Sequence, residues 1–204
     1  RTRPGYGSGA REVELEGEAL FTVEHDDAHP FRVYAGETMV EDLGTEFAVR
    51  SYPDSGSTAL RVAVASGSVA VHRGTSADTS VTLSPRDVAT VRGLGEIDVL
   101  RGVDVTPFTA FASGRLMFVD AAFSDVMRDL ERWYGVEVRV TDDALRDRHL
   151  TGTFERESLA EVLRIIGLAL DVRYEQDGNR VSFMPMGAMS VTPQPAAVRP
   201  VEAG

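Results

Sequence analysis

Cysteine is absent from the 204 residues, which removes disulfides, thiol catalysis and thiolate metal ligation together. Compartment does not follow from that absence, because a reducing cytosol and a simple periplasmic domain both tolerate it. Lysine is absent too: all 21 basic residues are arginine, set against 32 acids, and the net charge is -11. Divided at Ala110, the first part holds 10 Arg and 17 acids and the second 11 Arg and 15 acids, giving charges of -7 and -4. No basic block tracks a phosphate backbone, so nucleic acid is not an expected partner. Long apolar runs are missing as well. "LMFV" from Leu116 and "IIGLAL" from Ile165 fall far short of the roughly 20 residues that cross a bilayer, which predicts a soluble fragment without a span. No G-x-S-x-G is present, and no G-x-G-x-x-G or P-loop opens a helix. No signal peptide is visible; the opening "RTRPGYGSGA" is polar and turn-rich, like a linker over residues 1–11 left after upstream sequence was removed.

What is present is enough to fold. Hydrophobic content of 43% with 26% charged residues is neither disordered nor fibrous, and the length suits one large domain or two small ones. From Glu12 to about Val103 the chain reads as short strands punctuated by Gly, Pro and Asp: "VELEGEALFTVE", "FRVYAGETMV", "TEFAVRSY", "TALRVAVASGSVAVHR", "SVTLSPRDVATVR" and "EIDVLR". Leu60, Val62 and Val64 alternate, then Val69 and Val71, with the turn "SGS" (Ser66 to Ser68) between them. Without an amphipathic helix, this spacing predicts an all-β half over 12–110: a sandwich, roll or short solenoid. No fixed repeat separates those options.

The period then changes. Asp120 is placed to cap a helix with an apolar face of Phe123, Val126, Met127, Leu130 and Tyr134, and Gly135 sits where a left-handed C-terminal residue belongs. Strand "VEVRV" (Val136 to Val140) follows. A second unit repeats the theme with strand "HLTGTF" (His149 to Phe154), then Ser158 and Glu161 as a capping box. Its helix aligns Leu159, Val162, Leu163, Ile166 and Leu170, and "DGN" (Asp177 to Asn179) turns a closing hairpin. Residues 111–185 thus read as a small α+β module with two strand-helix-strand units. From 186 to 204 the chain is Pro-containing and aperiodic, a flexible tail.

These residues carry a resemblance. "LEGEALFTVEHD" (Leu15 to Asp26), "PFRVYAGE" (Pro30 to Glu37), "DLGTEFAV" (Asp42 to Val49) and "VAVASGSVAVH" (Val62 to His72) resemble the periplasmic domain of FecR-type regulators, single-pass anti-sigma factors of cell-surface signalling. "LMFVDAAFSDVMRDLERWYGVEVRV" with "LTGTFERESLAEVLRIIGLALDVRYEQDGNRVSF" is similar to the short secretin and TonB N-terminal module, STN, found at the C-terminus of many such proteins. The matches span Leu15 to about Phe183. Family members also carry a cytoplasmic sigma-binding region, a transmembrane helix and earlier strands with a "DGS"-like turn. None of these is present, so the chain reads as an excised or processed piece; Phe111 stands where Trp is frequent before "SGR". The resemblance implies a periplasmic protein-recognition domain, no cofactor, and no enzymatic function beyond a self-cleavage. Its implied partner is the N-terminal signalling domain of a TonB-dependent transporter, often of ferric siderophores. A sigma factor would be reached through the missing cytoplasmic region. Small open sheets suit such binding, because an edge strand is a template for an added strand. An envelope-assembly or secretin-like adaptor is the alternative, since the STN module occurs there too, and a hydrolase with an unrecognised groove site is a third reading.

The pair Gly44-Thr45 has two readings. Gly44 turns the chain and Thr45 starts a strand, or the Thr45 hydroxyl attacks the Gly44 carbonyl and the resulting ester is hydrolysed. Some FecR-type proteins cut themselves at a Gly-Thr pair by this N-to-O acyl shift, and "LGTEF" (Leu43 to Phe47) resembles that position. Asp42 and Glu46 are near in sequence, and neither identifies itself as a base. His25, His29, His72 and His149 fall on separate strands or loops with no third ligand for a His25/His29 metal pair, so they read as surface histidines and no metal is expected. Asp142, Asp143 and Asp147 cap and solubilise a short turn. Trp133 lies on the shoulder of its helix's apolar face, either packed between the halves or facing a partner, where Trp is enriched among hot spots.

Overall fold

The computed structural model describes residues 1–3, 11–42, 44–52, 58–73, 80–92 and 96–187. The expected tail beyond 187 and most of the expected linker lie outside the described residues. The chain divides into two compact units: Arg1–Ala121 with Thr151–Ser158, and Ala122–Leu150 with the sequence from Leu159 onward.

Ten strands build the first unit: β1 (Arg11–Glu14), β2 (Gly17–Thr22), β3 (Phe31–Ala35), β4 (Thr38–Asp42), β5 (Glu46–Ser51), β6 (Thr58–Ser66), β7 (Val69–Arg73), β8 (Ser80–Leu83), β9 (Val88–Arg92) and β10 (Glu96–Leu100). They form two five-stranded sheets, ordered β1-β3-β4-β7-β8 and β10-β9-β6-β5-β2. Alternation decides what faces inward. Phe31, Val33 and Ala35 of β3 are buried, as are Thr38, Val40 and Asp42 of β4. From the second sheet Phe47, Val49, Leu60, Val62, Val64 and Val91 join the same core. Phe21 lies opposite Phe47 in register, stacks on it at 5.3 Å and tilts against Phe31 at 5.4 Å, tying the two sheets together. The centre of the second sheet is buried on its other face too, along the row Ala48, Ala63 and Val88. One run that reads as continuous is divided by the fold. "VELEGEALFTVE" breaks at Gly17, so that β1 pairs in parallel with β3 while β2 joins the other sheet. Arg1 to Arg3 pair with β1, through the Thr2–Val13 bridge and the Arg3 amide on the Glu12 carbonyl.

After a short helix α1 (Thr106–Thr109) and a 3-10 turn (Ala110–Ser113), β11 (Arg115–Ala122) leads into helix α2 (Phe123–Tyr134). Then come β12 (Glu137–Val140), β13 (His149–Glu155), helix α3 (Leu159–Ala169), β14 (Val172–Asp177) and β15 (Arg180–Pro185). β11 pairs with β13; β12, β15 and β14 form a three-stranded sheet in that order. The second unit buries Phe123, Val126 and Leu130 of α2 and Leu163 and Ile166 of α3, with Phe123 edge-on to Phe183 at 5.0 Å. The Gly178-Asn179 turn joins β14 and β15, and Gly135 closes α2 with φ +67.

One expected cap is corrected. Asp120 does not cap α2: β11 runs on to Ala122, and the Asp120 amide donates to Thr151 Oγ1 at 3.0 Å. The first helical amides are satisfied by backbone instead, Phe123 N on Arg148 O at 2.7 Å and Ser124 N on Arg146 O at 3.1 Å, so no side-chain cap is needed. Asp142 does behave as expected, accepting from the Ala144 amide at 3.0 Å to start the 3-10 turn Asp143–Leu145.

Phe47 is fully buried beneath two aromatic neighbours, so Phe47→Ala is expected to destabilise the first unit by about 3–5 kcal/mol. A urea titration followed by circular dichroism checks this, and a loss below about 1 kcal/mol would show that this ring is not central to the core.

Candidate functional site

The Gly44-Thr45 pair lies where the chain passes from one sheet of the first unit to the other. β4 belongs to one sheet and β5 to the second, so "GT" is a crossover rather than a hairpin turn. The turn "SGS" is its counterpart: β6 lies in the second sheet and β7 in the first. The two crossovers run antiparallel beside each other, for Asp42 pairs with Val69 at one end and Glu46 with Ser66 at the other. The register of β5 against β6 shifts between Glu46 and Phe47, a bulge-like irregularity beside the crossover,.

Gly44 takes φ +93 and Gly67 φ +74, backbone that L side chains rarely adopt. Space forbids side chains there as well. A Cβ on Gly67 would overlap the Gly44 carbonyl oxygen and stand 3.0 Å from both the Gly44 carbonyl carbon and Thr45 Cα. A Cβ on Gly44 would meet His25 Cβ at 2.7 Å. The peptide bond is therefore pressed between Gly67 on one side and His25 on the other. Since a Cβ replaces an α-hydrogen, one Gly67 α-hydrogen points at the Gly44 oxygen, a weak C–H···O contact.

Thr45 is held on three sides. Its amide donates to Val23 O at 3.3 Å, its carbonyl accepts from Val23 N at 3.0 Å, and its hydroxyl donates to Ser68 O at 2.6 Å. Only 4% of it is exposed. Asp42, 5% exposed, accepts the Gly44 amide on Oδ2 at 2.9 Å, while its Oδ1 is buried with no hydrogen-bond partner among the described residues. His25, on the outer side, has Nε2 3.1 Å from Asp27 Oδ1. Chemically the corner offers a hydroxyl one residue from a carbonyl carbon, held away from water, with a carboxylate and an imidazole beside it. Ring closure by Thr45 Oγ on the Gly44 carbonyl would make a five-membered intermediate.

The other sequence candidates are scattered. His29 Nδ1 is 3.1 Å from Asp26 Oδ2; that bond, with the Ala28 and His29 amides, lowers the Asp26 carboxyl below its usual value despite partial desolvation. His72 lies in β7 opposite Met39, and His149 opens β13. Among the described residues no group of three His, Asp or Glu is arranged to hold a metal. Asp143 pairs with Arg146 at 2.9 Å. Trp133 is 38% exposed on α2. Asp42 is near the pair in sequence already; the residues that sequence reasoning missed are His25, Gly67 and Ser68, which the fold brings to Gly44-Thr45.

Comparison with known proteins bears on this chain at both ends. Residues 2–70 match the family described as FecR protein, and residues 115–183 match the family described as FecR, C-terminal. Two crystal structures of a candidate anti-sigma factor from Parabacteroides distasonis ATCC 8503 are similar, each at 30% identity. One aligns with TM-score 0.79 over 91% of this chain and 85% of its own, the other with 0.77 over 90% and 84%. No curated protein matches. Among the described residues no helix is long and apolar enough to cross a membrane.

The crowding at Gly67 is testable against Gly36, which has φ +59 and nothing near its absent Cβ. Gly36→Ala is expected to cost about 1 kcal/mol from backbone strain alone, and Gly67→Ala more than about 3 kcal/mol because overpacking adds to it. Equal losses in thermal unfolding would mean that the two crossovers do not press on each other.

Proposed function

The chain belongs to the FecR family, and from that premise we propose that it is the periplasmic sensing part of a membrane-anchored anti-sigma regulator. In this reading it binds the N-terminal signalling domain of a TonB-dependent outer-membrane transporter. The transporter's ligand state, of the ferric-siderophore type, is thereby passed to an extracytoplasmic-function sigma factor through a cytoplasmic region of the parent protein. The observation that carries it is the occurrence of both FecR matches, in order, on a chain 30% identical over nine-tenths of its length to a protein named as a candidate anti-sigma factor. Among the described residues β14 and β10 lie at sheet edges, the position beside which an incoming strand is added. Trp133, partly exposed, is the aromatic anchor we assign to the partner face,.

We further propose that Gly44-Thr45 is a self-cleavage bond. Attack by the Thr45 hydroxyl moves the acyl group from nitrogen to oxygen, and water then splits the ester to leave Gly44 with a carboxylate and Thr45 with a free amine. The buried hydroxyl, the glycine on its acyl side and the crossover that presses on the carbonyl support this reading. Cutting there would leave β1, β3 and β4 in one sheet and β2 in the other still paired with the strands that follow.

Three outcomes are expected. Calorimetric titration with a transporter signalling domain from the same organism should give one-to-one binding at micromolar affinity or tighter, about -8 kcal/mol; no heat with both partners folded would leave the sensor reading unsupported. Mass spectrometry of the incubated chain should find fragments ending at Gly44 and starting at Thr45, absent in Thr45→Ala; a wild-type chain that stays whole sinks the self-cleavage reading. The two fragments should elute together from a sizing column and separate only in denaturant.

A further inference from the structure

We propose that β13 pairs edge to edge with β13 of a second copy of this chain, antiparallel about Gly152. Among the described residues β13 is bonded to one strand, β11, in a sheet of two. Arg115 lies 3.7 Å from Glu155 at one end, and the Asp120 amide meets Thr151 Oγ1 at 3.0 Å farther along, so the two strands run antiparallel. The far side of β13 is a sheet edge, and a sheet of two strands is marginal by itself. Edges are ordinarily blunted by charge, proline or a bulge. The edge strand β10 carries Glu96 and Asp98, and β14 carries Arg173, Glu175 and Asp177. In β13 the stretch from Leu150 to Phe154 holds no charge and no proline.

The residues of β13 fit a second β13. Turned end for end about Gly152, "HLTGTFE" matches itself: Thr151 comes opposite Thr153, Leu150 opposite Phe154, and His149 opposite Glu155. Each is a favourable cross-strand pair, the first joining two hydroxyls, the second two apolar side chains, and the third an imidazole N–H donor and a carboxylate acceptor. The faces agree as well, because Leu150 and Phe154 are buried while His149, Thr151, Thr153 and Glu155 are exposed. Glu155 is 60% exposed, and its approach to Arg115 is too long for a hydrogen bond,. By contrast, β10 turned about its centre would set Asp98 against Asp98, and like charges directly opposite are unfavourable.

Gly152 sits on the axis, and its own chain does not require a glycine there. Its backbone is outside the left-handed region, and a Cβ built on it would meet nothing within 4 Å among the described residues. Glycine weakens the interior of a strand and marks a place where another backbone comes close. In the pair, the two Gly152 residues face each other, so any side chain placed at 152 would stand directly opposite its own copy. The product is one sheet of four strands, β11-β13-β13-β11, in place of two sheets of two.

Sedimentation equilibrium of the full chain over a wide concentration range tests this, and is expected to show monomer passing to dimer. Gly152→Glu and Gly152→Arg should each weaken the dimer at least about fivefold, since like charges then stand opposite each other. Their circular dichroism should match wild type, because the Cβ enters open space. Mixed in equal amounts, the Glu and Arg variants should associate more tightly than either does alone. Gly152→Cys, the one thiol in a chain without cysteine, should oxidise to a covalent dimer; Thr153→Cys, about 7–8 Å from its own copy on the diagonal, should not. A chain that stays monomeric at every concentration, or a dimer that both charged variants leave intact, would overturn the proposal. So would crosslinking of Thr153→Cys as fast as Gly152→Cys. If the chain is monomeric but Gly152→Arg weakens its titration with a transporter signalling domain, the edge belongs to a strand of that partner, and the self-pairing is overturned.

Discussion

Two strands of the first unit have to change sheets at the same corner, and they can do so only because backbone lies directly against backbone there. Gly67 has no side chain to hold it off the Gly44 carbonyl, and Gly44 has none to hold it off His25. Each crossover keeps its pairing on both sides, Asp42 with Val69 and Glu46 with Ser66, so neither can move without unzipping a ladder. The core follows from this corner. Once β4 and β7 are fixed in one sheet and β5 and β6 in the other, Val40 and Val71 face Phe47, Val62 and Val64 across one interior, and Phe21 and Phe31 close the end with stacked rings.

The same constraint sets the chemistry available. Close approach buries Thr45 and Asp42, two polar residues that an open turn would leave solvated, while Gly67 itself stays exposed. Inside, Thr45 spends its amide, carbonyl and hydroxyl on fixed partners, which removes the conformational freedom that normally keeps a hydroxyl from attacking its own peptide. Asp42 Oδ1 meets no hydrogen-bond partner among the described residues.

The second unit is organised by different means. Its helices owe their positions to apolar faces of conventional period, Phe123, Val126 and Leu130 on α2, and Leu163 and Ile166 on α3, and to a short sheet in which β12 joins β15 in parallel and β14 joins it antiparallel. Glu137, hydrogen-bonded by Arg139 and Arg180, has its carboxyl pulled below the usual value and links the ends of β12 and β15. Where α2 begins, backbone carbonyls of Arg146 and Arg148 meet its first amides. No side chain caps the helix, and Asp120 lies two residues before its N-cap, Ala122.

Local sequence determined a good deal of this protein. Period-two alternation marked the strands of the first unit, period 3.6 marked α2 and α3, and glycines at 135 and 178 marked where they stop or turn, because each of these signals is a property of neighbouring residues alone. The cysteine-free, lysine-free composition excluded whole classes of chemistry on the same local grounds. What the tertiary structure decided was partnership. "VELEGEALFTVE" was split between two sheets, and the "GT" and "SGS" turns became adjoining crossovers although 20 or more residues separate them. Asp42, near Thr45 in sequence, became a buried carboxylate that accepts the Gly44 amide. No pattern within a strand records which distant strand will lie beside it; that choice is made by the burial of both faces at once, and so it exists only in the folded chain.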